Sequence, residues 1–172
     1  MPSTTTFDAL PARSRVWVFT SSRELTAEDR SRLDALMDKV FGVWAHKAPG
    51  ARGCHELREG RFLVVGADET AECLSGCSVD AMVAWLKKLE EESGLVLVDR
   101  LAVFYRDASG GIQRVLRPDF RRLVESGEVT AGTPVFDPTV SRVEDLREGR
   151  FELPFADAWH ARMFASPGAP AR

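Results

Sequence analysis

Between residues 33 and 44 six large apolar side chains recur at i, i+3, i+4, i+7, i+8 and i+11: Leu33, Leu36, Met37, Val40, Phe41 and Trp44. Only an α-helix gathers that spacing on one continuous face. A stripe that wide must be buried against a sheet or another helix. Thr26, with Asp29 three residues on, makes a capping-box-like start, and Ala48-Pro49-Gly50 stops the helix. A second stripe, Val79, Met82, Val83, Leu86 and Leu89, starts near Ser78 and has Gly94 beyond its end. Trp17, Trp44 and Trp85 read as core rather than as a ligand box.

The segments around these helices alternate with them. RVWVFTS at 15–21 is aromatic and β-branched and predicts a strand. CHELREGRFLVVGAD at 54–68 predicts two strands joined at Glu59-Gly60 as a hairpin. VDRLAVFYRD at 98–107 predicts a further strand, and Ser109-Gly110-Gly111 turns it into a hairpin partner at 112–116. Pro118 opens a short helix through Phe120, Leu123 and Val124, which Gly127 closes. TPVFDPTV and FELPFADAWHARMF carry large apolar residues between prolines and predict irregular packing.

The resulting order is β-α-β-β-α-β, so the expected class is α+β: a ferredoxin-like sandwich with an added hairpin strand and a C-terminal helical or irregular extension. This reading makes the first and third strands central, parallel neighbours, with the fourth antiparallel beside the first. It expects a single α+β domain over 1–165 and a disordered Pro/Gly/Ala-rich tail over 166–172.

Composition narrows the function classes. The 172 residues are 44% apolar and 28% charged, with a net charge of −3 and no basic stripe. Neither nucleic acid nor a membrane is therefore expected as a partner, and no apolar run approaches the ~20 residues of a membrane span. No secretory signal order precedes the first strand, so the expected location is the cytoplasm. Three cysteines, an odd number outside any dense framework, read as reduced thiols.

The expected topology would gather one constellation at a sheet edge. The end of the first strand brings Arg23. The turn into the second helix brings Ser75, Gly76, Cys77, Ser78 and Asp80. The start of the fourth strand brings Asp99 and Arg100. Guanidinium groups, hydroxyls and a helix N-terminus suit a small anionic ligand. Cys77 is the candidate catalytic residue, since a thiol at a helix N-terminus near Arg becomes a nucleophile or redox sensor. The competing reading makes Cys77 a small buried hydrophobe, and makes Ser78 and Asp80 helix-capping groups. His46 and His160, each next to or near a tryptophan, would line a pocket if their segments met; packing roles compete there too.

Other chemistry fits less well. Cys73 and Cys77 form C-x-x-x-C, not the C-x-x-C redox spacing. Cys54, His55, His46 and His160 show no metal-ligand spacing, so no metal and no cofactor are expected. LSGCS at 74–78 is superficially similar to the LSGGQ signature of ABC transporter ATPases. The chain nonetheless has no Gly-Lys pair, which a phosphate loop requires, and no G-x-S-x-G hydrolase elbow.

SRVWVFTSSREL, VWAHKAP, LSGCSVDAMV, VDRLAVFY, TPVFDPTV and AWHARMF follow one another in this order. Together they resemble an uncharacterised family of small bacterial cytosolic proteins whose members are often labelled ABC transporter ATPases. The resemblance runs from about Arg15 to Phe164. Its most specific element is SGCS-[IV]-D, matched by Ser75, Gly76, Cys77, Ser78, Val79 and Asp80. Asp99 and Arg100 match a DR or DK pair before a strand, and Trp159, His160 and Arg162 match SWH-x-R-F. Ala158, Met163 and Lys47 depart from the family pattern. The resemblance implies which residues matter and brings no established activity.

Three functions remain for such a chain: binding of a small anion, thiol chemistry at Cys77, and a structural role as a homodimer through a sheet edge or the aromatic C-terminal segment.

Overall fold

The computed structural model describes residues 5–68, 76–97 and 101–164, with Cys77 described by its backbone only. The chain is α+β and divides into two compact units, each with its own antiparallel sheet. The first unit takes in the chain through Asp99 together with Pro138–Glu148; the second takes in Arg100–Asp137 and the chain from Gly149 on.

In the first unit, strand β1 (Arg15–Thr20) leads to helix α1 (Ala27–Lys47), then to strands β2 (Arg52–Arg58) and β3 (Phe62–Asp68). Helix α2 (Gly76–Ser93) follows. The predicted turn forms: Glu59 and Gly60 both have positive φ, 52° and 65°, and the Arg61 N–H donates to the Arg58 carbonyl at 3.0 Å. Two left-handed residues in sequence match the twist of a hairpin. The second of them suits glycine, while Glu59 adopts the conformation at some cost.

The sheet order is β1-β3-β2, with β3 antiparallel to both neighbours. β1 and β2 are thus parallel with β3 between them, the split βαβ arrangement. This corrects the expectation of parallel first and third strands. A helix crossover sets β1 and β2 in one direction, and the two-residue turn then reverses β3. Leu95–Leu97 runs beside the end of β1. Thr20 donates to the Leu97 carbonyl at 3.0 Å and Ser22 to that of Val96 at 2.8 Å, so the two segments run antiparallel.

β3 is buried along its whole length. Its alternate residues Leu63, Val65 and Ala67 join Leu33, Met37, Val40 and Trp44 of α1 and Met82 and Leu86 of α2 in one core. On the other face Gly66 lets Phe7 and Leu10 approach closely. A Cβ there would stand 2.6 Å from Phe7 Cε1 and 2.9 Å from Leu10 Cδ1. Arg147, in helix α4 of the first unit (Val143–Arg147, the fourth helix in chain order), fastens that N-terminal segment. Its Nη2 donates to the carbonyls of Phe7, Asp8 and Leu10 at 3.0, 3.1 and 2.7 Å. The Val143 N–H donates to Ser14 O at 3.0 Å and the Val16 N–H to Ser141 O at 2.9 Å, so 138–148 runs along the entry to β1.

In the second unit the sheet order is β5-β4-β6-β7, all antiparallel. Its strands are β4 (Ala102–Arg106), β5 (Ile112–Leu116), β6 (Pro134–Phe136) and β7 (Glu152–Pro154). The strand expected at 98–107 is thus β4 of this sheet over its described part. The region expected to pack irregularly instead supplies β6 and β7. Helix α3 (Arg117–Glu125) has Pro118 at its start and places Phe120 at the centre of the core. Around Phe120 lie Tyr105 and Phe155, both 5.9 Å away, and Phe164 of helix α5 (Trp159–Phe164) at 5.1 Å. Arg106 clamps the sheet edgewise, donating to both Glu152 carboxylate oxygens at 2.8 and 3.0 Å.

The expected tail, 166–172, lies outside the described residues. Among the described residues, no helix is long and apolar enough to cross a membrane.

Gly66→Ala forces Phe7 and Leu10 off β3. We expect a loss of about 1–3 kcal/mol of unfolding free energy in urea titration. A loss below a few tenths would show that the N-terminal segment is not packed against β3.

Candidate functional site

The expected constellation centres on the start of α2. The helix begins at Gly76, two residues earlier than the Ser78 start read from the apolar stripe, so Asp80 is its fifth residue and not a capping group. Gly76 is exposed, and among the described residues nothing stands within 4 Å of where its Cβ would be. Ser78 is buried, and its carbonyl accepts the indole N–H of Trp44 at 3.3 Å. That bond ties the first turn of α2 to the last turns of α1. Asp80 is exposed. Ser75, Asp99 and Arg100 lie outside the described residues, as do Cys73 and the side chain of Cys77.

Arg23 is positioned by the start of α1. Thr26 is the N-cap: its Oγ1 accepts the Asp29 N–H at 3.1 Å, and Asp29 Oδ2 accepts the Thr26 N–H at 2.8 Å. This is the predicted capping box. Its carboxylate also takes the Arg23 guanidinium in a two-pronged pair, Nη1 to Oδ2 at 2.5 Å and Nη2 to Oδ1 at 3.1 Å. The guanidinium assigned to an anion therefore already faces one, a carboxylate of this chain. The Arg23 hydrogen bond holds the buried Asp29 carboxyl well below the usual carboxylate range, and the Thr26 N–H and hydroxyl add to that. Sequence reasoning saw Asp29 as a cap and missed its second task. The signal was present: an arginine three residues before the N-cap, with an acid at the third helical position.

The two histidines belong to different units. His46 is exposed in the last turn of α1, where a basic group suits the helix dipole. His160 is 1% exposed in the second unit. Its ring stacks on Trp159, centroids 3.9 Å apart and planes 24° apart, and lies 6.1 Å from Phe120. His160 Nδ1 and Trp159 Nε1 are buried without a hydrogen-bond partner among the described residues. Burial holds the His160 pKa down to about 4; Asp137 opposes this and Arg117 reinforces it. The packing reading thus fits His160, which is neutral near pH 7.

Cys54 is buried in β2. Burial, aided by Glu56 and opposed by the Gly66 backbone N–H, pushes its thiol up to about 12, so it is inert. Its neighbour His55 pairs with Asp34 at 2.8 Å. Among the described residues, no group of three or more His, Cys, Asp or Glu is placed to hold a metal ion.

Compared with family models, with curated proteins and with solved structures, the chain finds no significant match.

Asp29 has a lowered folded pKa, so the unfolded chain takes up its proton first. Its contribution is complete above about pH 4 and is lost as pH falls below that. Asp29→Asn should cost about 1–2 kcal/mol near pH 7 and flatten the acid limb of stability below pH 4. Thermal unfolding against pH reads this; an unchanged acid limb would rule out the pair as its source.

Proposed function

We propose that this chain is a binding protein that takes a small anion at the first turn of α2, the Ser75–Ser78 turn. The observation that carries this reading is the character of that turn. α2 is 18 residues long, starts at an exposed glycine with open space beside it, and has no acidic residue in its first turn. α1 and α3, by contrast, each carry a carboxylate there. The free N–H groups and positive end of a long helix are a general anion attractor. Asp99 and Arg100 remain part of this reading as flanking groups, while Arg23 contributes only if it gives up Asp29.

The same residues carry the resemblance to the bacterial family with the SGCS-[IV]-D element, and we retain that membership, with its cytosolic setting, as part of the reading. The split βαβ order of β1, β3 and β2, with 95–97 alongside β1, supports a ferredoxin-like sandwich for the first unit.

Inorganic phosphate is the probe. Titration followed by amide resonances should shift Gly76, Cys77, Ser78 and Val79 saturably. Gly76→Asp places a competing carboxylate at the turn. It should weaken phosphate binding at least tenfold while leaving stability unchanged or raised by about 0.3–1 kcal/mol. Amide positions that stay fixed at tens of millimolar phosphate would overturn the reading.

Thiol chemistry is the second reading, favoured by the place of Cys77 as the second residue of α2. Helix N-termini lower thiol pKa values. Iodoacetamide should then label Cys77 in the native protein with a midpoint well under ~8.5 and spare Cys54 until the chain is denatured. A midpoint near ~8.5 would rule out an activated thiol. A homodimer is the third reading; Leu101, just before β4, and Leu116, the last residue of β5, are 63% and 46% exposed and favour it.

A further inference from the structure

The second unit encloses a titratable ring that the binding reading does not use. His160 sits in the first turn of α5, among Phe120, Trp159 and the core that Phe164 completes. The groups that bear on it are Arg117, at the start of α3, and Asp137, just after β6. Nδ1 has no hydrogen-bond partner among the described residues, and it is shut off from solvent. An imidazole in that position is tolerated only while it is neutral, because an enclosed cation needs hydrogen bonds to replace its hydration.

α5 is held by side-chain packing along its six described residues. Among the described residues the contacts that dock it include Phe164 on Phe120, His160 beside Phe120, the Arg121 guanidinium over the Phe164 ring at 5.6 Å and on the Met163 carbonyl at 3.3 Å, and Ala161 against the core. One of these is the ring that cannot carry charge where it stands.

We propose that His160 is an acid-operated latch: protonation of its ring releases α5, with Trp159, from the aromatic core of the second unit while the sheet beneath stays folded. The neutral ring stacks on the indole and closes the core. The protonated ring regains hydration by leaving, and Trp159 and Phe164 leave with it as the helix lets go. The sign follows from the two states. The released ring binds its proton at an ordinary pKa of ~6.5 and the docked ring only near 4. Docking is therefore at full strength above about pH 6.5 and weakens as pH falls toward 4. The released fraction rises by up to about tenfold per pH unit, on the order of a hundredfold across the window.

The test is a pH titration of the full chain from 7 to 4 by NMR. It follows the His160 ring, the Trp159 indole N–H (assigned by Trp159→Phe) and the backbone amides of β4 and β6. The latch requires the Trp159 signal to move toward its solvent-exposed position together with His160, at pH values where the β4 and β6 amides stay fixed. His160→Phe, which keeps a ring in the core but takes no proton, should abolish the movement; His160→Gln is the second variant. The proposal is overturned if Trp159 stays fixed while His160 titrates. It is equally overturned if His160 titrates near 6.5, if Trp159 moves only together with the β4 and β6 amides, or if either variant keeps the wild-type pH response. Should neither variant fold, the wild-type titration decides.

Discussion

The first unit depends on one constraint: β3 is apolar on both faces and must be covered on both. Leu63, Val65 and Ala67 are answered by α1 and α2, which explains why both helical stripes are so complete. The opposite face is answered by chain from far away in sequence, Phe7 and Leu10 over the bare backbone of Gly66. Those residues form no long element of their own. Arg147 holds them instead, spending one nitrogen on three carbonyls that would otherwise be left at a chain end.

Electrostatics in the first unit follows the same economy. Asp29 caps α1 and also neutralises Arg23, so one buried carboxylate fixes both the helix start and the loop that leaves β1. The Arg23 guanidinium is therefore already occupied by a carboxylate of this chain. The cysteines also differ in environment. Cys54 is sealed under the N-terminal segment, whereas the backbone of Cys77 lies in the first turn of a long helix.

The readable parts of this structure were those whose cause is local. The capping box at Thr26, the Glu59-Gly60 turn, Gly94 after α2 and Pro118 opening α3 all act within a few residues, and each sits where the pattern placed it. Strand direction and sheet membership were not readable. Whether β3 runs with or against β1 depends on a crossover and a turn acting together, and β4 carries no local mark of belonging to a second sheet. β6 and β7 were hidden because three-residue strands bounded by proline carry too little periodicity to register. Near the candidate site a helix start was readable at Ser78, two residues after the Gly76 at which α2 begins. The packing of His160 was readable from the tryptophan beside it, whereas its neighbour Phe120, forty residues away in sequence, was not.

The path of the chain between β6 and β7 has a consequence for how the protein is made. β6 and β7 are paired neighbours in the second unit, yet the stretch between them, 138–148, belongs to the first. The segment around Phe7–Leu10 precedes by well over a hundred residues the Arg147 guanidinium that binds the carbonyls of Phe7, Asp8 and Leu10. Residues 69–147 are synthesised between the end of β3 and Arg147, and that interval gives a chaperone or a second nascent copy its best access to the strand. Neither unit corresponds to a continuous piece of sequence, so cutting the chain at residue 99 would leave the first half without its clasp.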